Sequence, residues 1–173
     1  KTFVQLTENH PERAYSWLRA ELVTYKDILG KPCEGILYKS ENFDSNQKYP
    51  VLFKYYMDES STFNDFPFPE PSSSGFNIPL LVSRGYVIFK PNIYQVQGKP
   101  GESALISVLA GADYLSRQSW VDASKMGISG HSFGGYETNY IVTHTNRFKA
   151  VYSGAGTTNL IEAYNELANG TSK

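Results

Sequence analysis

Apolar residues along the chain fall into short blocks of two kinds. Glu21–Tyr25 and Cys33–Tyr38 read as strands, and Asp27, Gly30, Lys31 and Pro32 between them form a turn, so the pair predicts a hairpin. Val51–Tyr56 is apolar and aromatic, the signature of a buried central strand. Tyr86–Lys90, Lys125–Ser129 and Ala150–Ser153 predict further strands. Ala104, Leu105, Val108, Leu109, Ala112 and Leu115 recur at helical spacing and predict a helix over Glu102–Arg117. Shorter helices are expected over Ile78–Ser83, ended by Gly85, from about Tyr136 to His144, and over Leu160–Leu167. At the start, Thr2–Thr7 reads as a short strand and Glu12–Ala20 as helical or irregular. Strands alternating with helices predict an α/β fold: a mostly parallel sheet with helices on both faces. Working residues then belong at the carboxyl ends of the strands.

Between these blocks lie polar stretches. Asn42–Pro50 is turn-rich. Asp58–Ser74 is a long excursion of Ser, Asn, Asp and Pro, a kind of loop that is often functional. Its Phe66 and Phe68 are expected to form a packed loop rather than a substrate path.

Composition narrows the field. The chain has 173 residues and a net charge of −1, enough for one core and too neutral to attract nucleic acid or an anionic membrane surface. Cys33 is the only cysteine, so no internal disulfide is possible, and its expected place is inside a strand. No apolar run reaches the length of a membrane span. Residues 1–10 lack a signal peptide's apolar stretch and there is no initiator Met, as expected of a piece of a longer soluble protein, cytoplasmic or exported with its signal removed. No His, Cys and carboxylate cluster has metal-ligand spacing, and Gly98–Gly101 is too short for a dinucleotide loop, so no cofactor is expected.

The chemistry concentrates at Gly130-His131-Ser132-Phe133-Gly134, a Gly-x-Ser-x-Gly motif. Chance gives this pattern in roughly one chain in ten of this length, so the flanks matter. Met126–Ser129 reads as a strand before it and Tyr136–Ile141 as a helix after it, the order of a nucleophile elbow. Glycines two residues either side are needed because the turn is so tight. Ser132 then stands clear of the sheet at a helix N-terminus, where the Phe133 amide can stabilise an oxyanion. A serine needs a histidine base oriented by a carboxylate. His131 adjoins Ser132 and cannot easily turn back onto it; His144 lies about three turns away; His10 precedes the nucleophile, against the chain order of this fold. All three read as structural or surface residues. Glu137 reads as a helix charge, Asp122 as a turn cap, Asp113 as solvated, and Asn169-Gly170-Thr171 as a chance glycosylation triplet.

Gly127–Tyr136, followed by Phe148-Lys149-Ala150-Val151, resembles the catalytic domain of the prolyl oligopeptidase family of serine peptidases, an α/β-hydrolase. Gly35–Lys39, Lys48–Phe53, Ser83–Val87 and Trp120–Asp122 add to the resemblance, which runs from about Ala20 onward. The resemblance implies a partial α/β-hydrolase fold: residues 1–19 leading in from an absent upstream propeller, residues 20–173 forming the N-terminal portion of the peptidase domain, and the C-terminal strands missing. The catalytic Asp and His would then come from a segment beyond residue 173, and the isolated chain would be inactive. The resemblance also places a second oxyanion donor on a tyrosine after the third strand. That position is Tyr56, with Tyr55 as the fallback, although Met57 and Asp58 replace the family's usual small residues. The expected partner is a peptide substrate, and the truncated sheet is expected to self-associate. Two other readings stay open: an esterase or lipase on the same fold, and a non-catalytic binding domain.

Overall fold

The computed structural model describes residues 4, 6, 17–69 and 76–165. Six strands form one sheet in the order β1-β2-β4-β3-β5-β6. β1 (Leu18–Lys26) and β2 (Pro32–Ser40) are the predicted antiparallel hairpin, registered from Leu18 opposite Ser40 to Lys26 opposite Pro32. Asp27 closes the turn, its Oδ1 accepting from the amides of Leu29 and Lys31 at 2.8 Å each. β2 runs antiparallel to β4 (Val87–Pro91). From there the sheet is parallel through β3 (Tyr49–Lys54), β5 (Val121–His131) and β6 (Ala150–Gly154).

Alternation along the strands builds two cores. On one face Leu37, Val51, Phe53, Val87 and Phe89 meet Ala104, Val108, Ala112 and Leu115 of α2 (Pro100–Ser116) and Ile141 of α3 (Phe133–His144). On the other, Ile36, Tyr38 and Ile88 meet Ile78 and Val82 of α1 (Ile78–Ser83). Asn77 caps α1, its Oδ1 accepting from the Leu80 amide at 2.9 Å. The last described helix is α4 (Leu160–Asn165).

The chain departs from expectation at several ends. Leu18–Ala20 belong to β1, not to a helical or irregular stretch, because the hairpin partner strand continues to Ser40 and pairs them. The other residues of Glu12–Ala20, apart from Trp17, lie outside the described residues, as do most of Thr2–Thr7, all of 166–173 and hence Asn169 and His10. β3 ends at Lys54, before the two tyrosines. β5 is longer than expected because its polar first half, Asp122–Lys125, is strand as well. The expected Gly-rich turn over Gly130–Gly135 is a single residue: strand persists to His131 and helix starts at Phe133.

Candidate active site

The single residue between β5 and α3 is Ser132, with φ 57° and ψ −120°, a conformation that costs a non-glycine residue on the order of 1–3 kcal/mol. The surroundings hold it there. The Ser132 amide donates to the Gly154 carbonyl at the end of β6 at 2.8 Å, and the Ser132 carbonyl accepts from the Gly135 and Tyr136 amides at 2.9 and 3.2 Å. Two glycines let the corner close. A Cβ on Gly130 would run into the Gly134 carbonyl, and one on Gly134 would sit 2.8 Å from the Tyr55 carbonyl. The result leaves Ser132 exposed at the top of the sheet.

The groups expected to donate to an oxyanion lie as follows. The Phe133 amide is the first of α3, one of the four that a helix cannot satisfy internally, and it meets no acceptor among the described residues. β3 and β5 are parallel neighbours with Lys54 opposite Ser129, so the residues after β3 emerge beside the elbow. Tyr56 lies against it, its ring 3.6 Å from where a Gly134 Cβ would be, and it is 45% exposed with its hydroxyl unpartnered among the described residues. Tyr55 points the other way. It is buried, and its hydroxyl lies 2.7 Å from Thr138 Oγ1, which itself donates to the Gly134 carbonyl at 2.8 Å. Thr138 has one hydroxyl proton, so Tyr55 is the donor of that pair. Its hydroxyl is committed to bracing the elbow.

Of the three histidines, His131 and His144 are among the described residues and both are exposed. His131 is exposed and lines a pocket of about 210 Å³ with Lys54, Tyr55, Tyr56, Glu59, Phe76 and Ser129. His144 stacks on Tyr140 at 4.0 Å, its Nδ1 2.8 Å from the Tyr140 carbonyl. Asp122 Oδ1 accepts from the Ser124 amide and hydroxyl, Asp113 pairs with Arg147 at 3.3 Å, and Cys33 is buried in β2. Phe66 and Phe68 are exposed but touch each other, and Phe66 touches Trp17. Among the described residues no group of three or more His, Cys, Asp or Glu could hold a metal ion, and no helix is long and apolar enough to cross a membrane.

Two polar residues near the elbow, Glu59 and Lys90, went unnoticed in the sequence, and a third, Glu137, was read only as a helix charge. Glu59 and Lys90 form a buried ion pair at 2.6 Å. Glu137, in the second turn of α3, is fully buried; its Oε1 accepts from Gln95 Nε2 at 2.7 Å and its Oε2 has no partner. Burial pushes the Glu137 carboxyl up to about 8, with the Gln95 bond opposing and the Glu59 charge adding to the rise. The available signal was spacing, since Glu137 lies one turn before the buried Ile141.

A mostly parallel sheet with helices on both faces, and a strained serine between its fifth strand and the following helix, define an α/β-hydrolase. The sequence profile of the prolyl oligopeptidase family matches residues 71–171, and the chain belongs to that family. A curated relative, dipeptidyl-peptidase 5 of Porphyromonas endodontalis, is 28% identical over 143 residues, 76% of this chain and 20% of its own length. Its counterpart in Porphyromonas gingivalis is 27% identical over 71% of this chain and 19% of the relative. The chain thus spans about a fifth of the curated relatives it matches. Among solved structures, Porphyromonas gingivalis dipeptidyl peptidase 4 superposes with a TM-score of 0.64, at 24% identity, over 87% of this chain and 23% of that one. Prolyl oligopeptidase B from Galerina marginata gives 0.66 at 16% identity, over 96% and 23% respectively. These likenesses establish the fold.

Proposed function

We propose that this chain is the front part of the catalytic domain of a serine peptidase, with Ser132 as nucleophile. The observation that carries the reading is the strained, exposed Ser132 at the start of α3, next to the unpartnered Phe133 amide. Ser132 Oγ attacks the peptide carbonyl carbon as a histidine takes its proton. The carbonyl oxygen becomes an oxyanion held by the Phe133 amide and the Tyr56 hydroxyl. The tetrahedral species collapses to an acyl-enzyme, the C–N bond breaks, and the departing amine takes the proton from histidine. Water then attacks the acyl carbon by the same route in reverse and frees Ser132.

The histidine and its aspartate belong to a segment beyond residue 173. That reading is supported by the absence, among the described residues, of a hydrogen bond from His131 or His144 to Ser132, His144 being engaged by Tyr140 and Thr143, and by the fifth of the relatives' length that this chain spans. The relatives named dipeptidyl-peptidases suggest a peptide substrate. The test is hydrolysis of short peptide and ester substrates by the full-length protein. Peptide cleavage lost by about 10⁴-fold or more in Ser132→Ala supports the reading. Cleavage of esters but not peptides points to an esterase, and undiminished peptide turnover in Ser132→Ala refutes Ser132 as nucleophile. The isolated 173-residue chain is expected to be slower than the full-length protein by several orders of magnitude.

A further inference from the structure

The pocket below Tyr56 holds more charge than bond cleavage uses. Lys54, the last residue of β3, lines this pocket together with Tyr56. β4 places Lys90 nearby, and the loop after β3 brings Glu59. Lys90 and Glu59 are both buried and joined at 2.6 Å, and Lys90 Nζ also donates to Thr62 Oγ1 at 2.9 Å. That pair is closed. Lys54 is different: it is half-buried and its ammonium makes no hydrogen bond or ion pair among the described residues. Burial, and then the Lys90 charge, hold its ammonium below the usual lysine range, with Glu59 partly opposing. Two cations thus face one carboxylate, and the excess charge sits on the side chain with free donors.

The rest of the wall is polar at Ser129, His131 and Tyr56 and apolar at Phe76. A volume of about 210 Å³ is room for roughly seven waters, enough for a carboxylate on a short stem. Tyr56 and His131 also flank Ser132, so an anion held here is part of whatever Ser132 attacks. We propose that this pocket is a carboxylate subsite of the peptidase, with Lys54 as the side chain that binds the anion. The proposal rests on the reading of Ser132 as a peptidase nucleophile. The carboxylate has two sources, the C-terminus of a short peptide or an Asp or Glu side chain within one.

The test is calorimetric binding to full-length protein carrying Ser132→Ala. Three alanine-based peptides of equal length are compared: one with a free C-terminal carboxylate, one amidated, and one amidated with an internal Glu. At least one anionic peptide is expected to bind about tenfold or more tightly than the neutral amide, and which one identifies the source. Lys54→Met is expected to bring that peptide down to the level of the neutral amide, and Lys54→Arg to retain most of the preference. Should Lys54→Met not fold, Lys54→Gln carries the same comparison. Equal binding of all three peptides, binding of none, or a preference that survives loss of the lysine overturns the subsite. Fluorophosphonate labelling of the unmutated protein reports separately on the nucleophile, so failure of the subsite and failure of the peptidase reading are told apart.

Discussion

Tyr55 and Tyr56 are adjacent and chemically identical, yet the fold gives them opposite surroundings. Tyr55 donates its hydroxyl to Thr138 and is enclosed, whereas the Tyr56 hydroxyl beside the elbow meets no partner among the described residues. Tyr56→Phe is therefore expected to lower kcat of the full-length protein by about 10–100-fold with little change in stability. Tyr55→Phe is expected to lower stability by about 1 kcal/mol, read from denaturant unfolding, with a smaller effect on kcat. The reverse pattern would move the oxyanion role to Tyr55. The strain at Ser132 has its own signature: Ser132→Gly abolishes turnover but is expected to stabilise the full-length protein by about 1 kcal/mol, because glycine adopts this conformation without penalty. A glycine variant no more stable than the parent would show that the corner stores no strain. At this scale the sequence displayed the serine at the elbow and the two candidate tyrosines but not which tyrosine was free, because that depends on a hydroxyl 83 positions away in sequence.

The elements were legible where their pattern was local. α1 begins and ends as expected, and the hairpin is where its turn residues put it. The errors lie where tertiary contacts overrule composition. Gly134 and Gly135 read as turn, yet they are the first turn of α3, required because Gly134 lies on the Tyr55 backbone and Gly135 on Gly154 and Gly156. The polar residues Asp122–Lys125 concealed the first half of β5, which is largely exposed and does not need an apolar pattern. Glu137 makes α3 pH-sensitive. Its carboxyl, about 8 in the fold against 4.5 ordinarily, stays protonated in the folded state after the unfolded chain has ionised. Its contribution is full below about pH 4.5 and is lost as pH rises toward 8, by a few kcal/mol at most. Glu137→Gln keeps the neutral shape and is expected to flatten that part of the stability–pH curve, as followed by thermal unfolding between pH 5 and 9. An unchanged slope in the variant would mean that Glu137 is ionised in the fold.

Across the whole molecule the sheet has two edges among the described residues, β1 and β6, each with a single paired neighbour, and on β6 Val151 and Tyr152 are 49% and 45% exposed. Beside them an apolar hollow of about 250 Å³ is lined by Leu52, Phe76, Leu81, Ile128 and Ala150. We propose that the 173-residue chain on its own self-associates through this face. Sedimentation velocity is expected to show a concentration-dependent rise in mass, reduced by Val151→Lys; a monodisperse monomer at all concentrations would contradict this. The α/β class and the family were readable from Gly127–Tyr136 and its flanks, and an open sheet was expected from the resemblance, whereas which apolar residues that face exposes was not, since burial of β6 depends on what lies beside it.

The most direct measurement is the mass of the full-length protein after exposure to a fluorophosphonate, followed by peptide mapping. The expected result is one adduct per chain, located on Ser132 and absent in Ser132→Ala. A full-length, folded protein that takes up no label, or carries it on another residue, contradicts the assignment of Ser132 as the nucleophile.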